Sequence, residues 1–134
     1  MRAAFEKHHG ETEGQVERLQ QIFELIDKPA RGKTRDAVQG ILAQGKQIVQ
    51  EYTGCEALDA GMLAAAQAVE HYEISRYGTL KQWAQPLGRK DAVRVLDQTL
   101  QEERLQEERL QEEKKTDQSL TSLAEAAVNL AAAA

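Results

Sequence analysis

The chain has 134 residues, of which 29% are charged, 41% hydrophobic and 4% aromatic, with one cysteine and a formal net charge of −5. This length suits a single domain, one cysteine excludes a disulfide framework or a cysteine-rich zinc module, and the acidic balance argues against a nucleic-acid binder. No apolar run reaches the roughly 20 residues of a membrane span, and the N-terminus lacks the apolar stretch of a secretory signal. We therefore expect a soluble cytoplasmic protein without membrane or nucleic-acid partners.

Helix-forming residues dominate the sequence and strand signals are nearly absent, which predicts an all-α protein. Breaks that contain Pro or Gly at 27–33, 52–55 and 85–88 divide the chain into four segments. We predict helices over about 2–26, 34–51, 57–85 and 89–131, within one domain that spans 1–134.

Steps of three and four residues predict which face of a helix packs against its neighbours. In the first segment this stripe comprises Phe5, His9, Thr12, Val16, Leu19, Phe23 and Ile26. In the third segment it comprises Leu63, Ala66, Glu70, Glu73, Tyr77, Leu80, Ala84 and Leu87. Two members of the third stripe are glutamates at positions where core residues are expected.

The fourth segment contains an internal repeat. Residues 101–105 and 106–110 both read QEERL, and residues 111–115 read QEEKK. Leucines that recur every five residues lie about 140° apart around a helix and do not form one buried stripe. The pattern favours a charged, solvent-exposed helix over this stretch.

The spacing of acidic and histidine residues suggests a metal site. Glu70 and Glu73 lie one turn apart on a face predicted to be buried, where two carboxylates are costly unless they are protonated, paired or bound to a cation. His8 and Glu11 have the same spacing near the start of the first helix. Carboxylates and imidazoles that project inward from several helices are how four-helix bundles hold two metal ions.

Two other interpretations of these polar residues stay open. The glutamates could form a structural polar layer with a cation such as Arg76 or Lys114, or they could lie at the edge of the helix. Periodicity does not fix the rotation of a helix to one residue, so spacing alone does not decide between these alternatives.

Three sequence strings carry a family resemblance: A-F-x-x-H-x-x-E-T-x-G-Q-V-E-R over 4–18, A-A-A-Q-A-V-E-H-Y-E-I-S-R-Y-G-T-L over 64–80, and E-E-K-K-T-D-Q-S-L-T-S-L-A over 112–124. They resemble the YciF-type ferritin-like proteins, small bacterial stress-associated proteins of poorly defined activity. The resemblance extends over about residues 2–130. It implies a ferritin-like antiparallel helical bundle, a homodimer, and a carboxylate-rich site for two iron or manganese ions.

Carried over position by position, the resemblance implies a set of metal ligands on three helices. They are His8, Glu11, Glu70, Glu73, Glu113 and Asp117. The expected function is then redox chemistry with O2 or peroxide at the metal pair. The alternative is a non-catalytic helical oligomer or interaction protein with a vestigial site, so both an enzyme and a non-enzyme fit these residues.

The sequence departs from the family pattern in three places. Family members begin with another long helix that carries a glutamate, which this chain is expected to lack, and Gln39 stands where many members have Glu. The two QEERL units form a 10-residue insertion, so either 102–103 or 112–113 takes the position of the family's Glu-Glu pair. In one straight helix the two pairs do not occupy equivalent positions.

Overall fold

The chain folds into four α-helices in the computed structural model, which describes residues 2–33, 35–55 and 57–132, with side chains over 6–33, 35–55 and 57–116. The helices are α1 (Arg2–Leu25), α2 (Asp36–Tyr52), α3 (Ala57–Ala84) and α4 (Lys90–Ala132). No strand occurs in these described ranges. The predicted all-α bundle is confirmed, and the helix ends lie within two residues of their predicted positions.

Helices α1 and α3 are each followed by a residue in the left-handed backbone conformation whose neighbour caps the helix. At the end of α1, Asp27 has φ 53°, and the Lys28 N–H donates to the Phe23 carbonyl at 2.9 Å. At the end of α3, Gly88 has φ 67°, and the Arg89 N–H donates to the Ala84 carbonyl at 3.2 Å. These bonds satisfy carbonyl groups that a helix end otherwise leaves unpaired, which explains why both helices stop at these positions.

The helices pack in the order α1, α4, α3, α2. Backbone contacts join α3 to α4, α2 to α3 and α1 to α4. Side-chain pairs between 81 and 97 and between 71 and 107 show that α3 and α4 run antiparallel. The α2–α3 contact is close at Gly61, where an added Cβ would lie 2.7 Å from Ile48 Cγ2. The pair α3–α4 is therefore the centre of the molecule, with α1 and α2 on either side.

The apolar core lies between α3, α4 and the C-terminal half of α1. Its buried members are Tyr77, Leu96 and Leu100, against which Leu19, Ile22, Ile74 and Ala84 pack. Burial of these apolar side chains supplies the main favourable term for the packing of the three helices.

The predicted stripe of α1 is wrong in its central part. Val16 is 49% exposed, whereas the neighbouring Gln15 is only 4% exposed. The side chain of His9 is 77% exposed. The face that packs is rotated by one residue, about 100°, because α1 presents polar side chains to polar partners on α4 instead of an apolar stripe.

The expectation that the QEERL repeats are simply solvated is also wrong for one of their faces. Glu103 is 1% exposed, Gln106 8% and Leu110 7%, whereas Leu105 is 48% exposed. Leu100, Glu103 and Leu110 fall within a sector of about 80° on a helix, and Leu105 points to the other side. The buried face of α4 is therefore continuous through the repeats, although part of it is polar.

The described helices include none that is long and apolar enough to cross a lipid bilayer.

Candidate metal centre

Three carboxyl side chains meet where α3 packs against α4. One ligand oxygen from each of Glu70, Glu73 and Glu103 lies within 4.8 Å of the others. Glu70 is 2% and Glu103 is 1% exposed. Glu70 and Glu73 lie one turn apart on α3, and the antiparallel arrangement places Glu103 of α4 opposite them.

The surroundings oppose negative charge on all three groups. Burial raises the pKa of Glu70, although its hydrogen bond with Glu103 opposes this rise. Burial, followed by repulsion from Glu103, raises the pKa of Glu73 to about 7. Burial, together with the hydrogen bond to Glu70 and the charge of Glu70, raises the pKa of Glu103 to about 8. Without a cation the cluster therefore retains protons at pH values where isolated glutamates are ionised.

Two oxygen atoms in the cluster lack a hydrogen-bond partner among the side chains that the structure describes. They are Glu70 Oε2 and Glu103 Oε2, and both are buried. A buried polar atom without a partner is costly, so such atoms in a folded protein call for a proton, a water molecule or an ion. Oxygen-rich clusters of this kind suit divalent cations that prefer hard ligands.

Helix α1 also contacts the cluster, through one residue of α3 and one residue of α4. His8 Nδ1 lies 3.7 Å from Glu70 Oε1, and Gln15 Nε2 donates a hydrogen bond to Glu103 Oε1. Farther along the same helix, the Arg18 guanidinium donates to Thr99 Oγ1 at 2.8 Å and pairs with Glu102. Polar contacts thus fix this part of α1 against the site.

The predicted ligands fall into three groups. The structure brings together Glu70, Glu73 and His8, with Glu103 added from α4. Glu11 instead lies 3.7 Å from Arg109 and 3.5 Å from Lys7, although its charge still raises the pKa of Glu70. Glu113 is exposed and is not part of the cluster, and Asp117 lies outside the residues whose side chains are described.

The position of Glu103 was one of two alternatives that the sequence left open. Counting from the N-terminal side of the repeats aligns 102–103 with the family's Glu-Glu pair, and this is the pair beside α3. Its members differ in role, because Glu103 joins the cluster and Glu102 pairs with Arg18. The equivalent glutamates 112 and 113 are exposed.

Tyr77 belongs to the surroundings of the cluster as well as to the core. It is 8% exposed, one turn beyond Glu73 on α3. Burial, followed by the charges of Glu73 and Glu103, raises its pKa to about 12. Its hydroxyl therefore keeps its proton over the physiological pH range.

Comparison with known protein families gives a match over most of the chain. A family model described as a domain of unknown function, DUF892, matches residues 1–111. Protein YciF of Escherichia coli strain K12 is 41% identical over 103 residues, which are 75% of this chain and 61% of YciF. The chain thus spans about three fifths of the length of this curated relative.

Two solved structures share the fold. The crystal structure of the E. coli stress protein YciF matches with a TM-score of 0.77 and 36% identity, over 82% of this chain and 70% of that chain. YcfI from Rhodopseudomonas palustris, provisionally described as a structural protein, matches with a TM-score of 0.78 and 39% identity, over 81% and 69% of the two chains.

Proposed function

The chain belongs to the DUF892 family, a domain of unknown function, and on that premise we propose that it is a cytoplasmic ferritin-like stress protein that binds a pair of iron or manganese ions. The observation that carries the proposal is the cluster of two buried carboxyls and one half-buried carboxyl, in which two oxygen atoms lack a partner among the described residues. The stress association is taken from the E. coli relative, which is described as a stress protein.

The residues present fit such ions. Glu70, Glu73 and Glu103 would supply carboxylate oxygens, and His8 beside Glu70 would supply a nitrogen ligand. Iron and manganese accept this mixture of oxygen and imidazole ligands. We place the 10 inserted residues C-terminal to the ligand on α4, because Glu103 lies in the first of the two QEERL units.

Bound ions of this kind would supply one-electron chemistry toward O2 or peroxide. The chain itself contributes negative charge that balances the ions and burial that limits the access of water. Arg18 and Gln15 hold the acidic residues of α4 in place. The hydroxyl of Tyr77, which stays protonated, is available as a hydrogen-bond donor near Glu73.

The test is metal content after purification without chelators, and the repeat provides a matched control. Glu103→Gln removes a buried carboxyl, whereas Glu108→Gln makes the same change at the equivalent, exposed position of the second QEERL unit. We expect iron or manganese in the wild-type protein and in Glu108→Gln, and loss of the metal in Glu103→Gln. Equal metal content in the two variants would contradict the assignment of Glu103 as a ligand.

A second candidate function is that of a non-catalytic helical oligomer with a vestigial site. The observation that favours it is exposed apolar surface: α2 contains no buried residue, and Trp83 and Leu87 are 65% and 71% exposed. Large apolar side chains that are exposed together favour contact with another protein surface. A helical protein that binds no iron or manganese when both are supplied would support this function over the first.

A further inference from the structure

Gln15 is a buried amide on the face of α1 that packs against α4. It is 4% exposed, and its side chain contacts the candidate metal site rather than the apolar core. Its Nε2 donates a hydrogen bond to Glu103 Oε1. Burial of a polar side chain is costly unless it has such a partner. The burial of Gln15 is therefore explained by its hydrogen bond to Glu103.

The hydrogen bond makes the two oxygens of Glu103 unequal. Oε1 accepts a hydrogen bond from the Gln15 amide, whereas Oε2 is buried without a hydrogen-bond partner among the described residues. Thr99, one turn earlier on α4, accepts a hydrogen bond from Arg18 at 2.8 Å. Successive turns of α4 are therefore fixed by donors on α1, and Oε2 is the oxygen of Glu103 that stays available.

We propose that Gln15 is a positioning residue of the metal site, which fixes Glu103 through Oε1 and leaves Oε2 to bind the ion. This inference rests on the proposed metal-binding function. Groups that orient a ligand in this way determine metal affinity as well as geometry. His8 lies seven residues before Gln15, two helical turns away on the same face, so α1 would supply one ligand and orient another.

The experiment uses Mn2+ as the probe and measures its affinity by electron paramagnetic resonance of the free ion. Gln15→Met keeps the approximate shape of the side chain and removes the donor, and Gln20→Met makes the same change at an exposed position of α1. We expect Gln15→Met to bind Mn2+ about 10- to 100-fold more weakly than the wild type, and Gln20→Met to bind as the wild type does.

A purely structural role of Gln15 is separated from positioning by combining variants. At Mn2+ concentrations high enough to fill the weakened sites of the single variants, the loss caused by Gln15→Met should disappear in a Glu103→Gln background and persist in a Glu73→Gln background, because Gln15 acts through Glu103 alone. An equal loss in both backgrounds would overturn the proposal. If metal-free Gln15→Met is unfolded by circular dichroism, Gln15→Asn, whose amide is one methylene shorter, takes its place with the same expectation.

The outcomes also distinguish this inference from the function on which it rests. A wild-type protein that binds no Mn2+ would overturn the proposed metal site. A wild-type protein that binds Mn2+, with unchanged affinity in Gln15→Met, would overturn only the role of Gln15.

Discussion

At the scale of single residues, the main feature is a cluster of acidic side chains whose surroundings disfavour negative charge. Two buried glutamates and one half-buried glutamate lie together between two helices, and burial is the largest cause of the raised pKa of each. Natural cores avoid such groups unless they have a partner that compensates the desolvation. The cluster therefore costs stability in the metal-free protein, and a bound cation would remove that cost.

The raised pKa values predict that metal-free protein loses stability as pH rises. A buried carboxyl that is protonated in the folded state stabilises the fold below its unfolded-state pKa, and this contribution is lost as pH passes the folded-state values of about 7 for Glu73 and about 8 for Glu103. Each unit of pKa shift corresponds to about 1.4 kcal/mol, so the loss amounts to a few kcal/mol. Urea unfolding in the presence of a chelator from about pH 5.5 to about pH 8.5, a range that brackets the pKa values of Glu73 and Glu103, measures it.

The same pair of variants controls for the general effect of charge. Glu103→Gln should reduce this pH dependence, because the group with the pKa of about 8 no longer titrates and the neutral amide no longer repels Glu73. Glu108→Gln removes the same formal charge at an exposed position and should leave the dependence as in the wild type. A free energy of unfolding that increases from about pH 5.5 to about pH 8.5 would contradict the prediction.

At the scale of helices, the repeat in α4 shows how one local sequence acquires several roles. Its units are identical, yet a five-residue period on a helix of 3.6 residues per turn rotates each unit by about 140°. Glu103 is consequently buried and Glu108 exposed, and Leu110 is buried while Leu105 is exposed. The rotation of each unit around the helix axis, rather than its sequence, therefore determines which glutamate and which leucine are buried.

This difference predicts unequal effects of equal substitutions. Leu110→Ala removes a side chain that is 7% exposed, and Leu105→Ala removes one that is 48% exposed. We expect the first to lower the free energy of unfolding by about 2–5 kcal/mol and the second by no more than about 0.5 kcal/mol. Denaturant midpoints of both variants at the same pH and metal content provide the comparison, and similar losses would show that α4 is rotated from the orientation described.

At the scale of the whole molecule, the row of helices leaves apolar surface exposed. An open groove of about 460 Å³ between α2 and α3 is lined mainly by apolar side chains, among them Leu42 and Val49, which are themselves 46% and 41% exposed. Isolated apolar residues are common on protein surfaces, but a contiguous apolar face favours association.

We expect the protein to be a homodimer in solution, with a mass twice the 14.9 kDa of the chain. Leu42→Glu combined with Val49→Glu should shift it to a monomer, because two charges would then be buried in the contact. Leu105→Glu, at an exposed leucine of α4, is the control and should remain a dimer. Light scattering coupled to size-exclusion chromatography measures the mass, and a wild-type monomer would contradict the expectation.

The sequence by itself determined the helices and the two glutamates that α3 contributes to the candidate site. Helix ends follow from local signals such as Gly88 and the Pro29 region, and the period of α3 places Glu70 and Glu73 on one packed face. These are properties of neighbouring residues along the chain. The assignment of the metal itself stays a prediction, because a cluster of carboxyls is compatible with protons as well as with an ion.

Only the tertiary structure decided which acidic residue of α4 faces α3 and which face of α1 packs. Glu103 and Glu108 have identical neighbours within their repeats, so no local signal distinguishes them. The choice depends on the rotation and axial position of α4 against α3, which the packing of Leu96 and Leu100 on Tyr77 fixes. For α1, the hydrogen bond between Gln15 and Glu103 outweighs the apolar stripe around Val16, because a buried carboxyl without a partner costs more than a half-exposed valine.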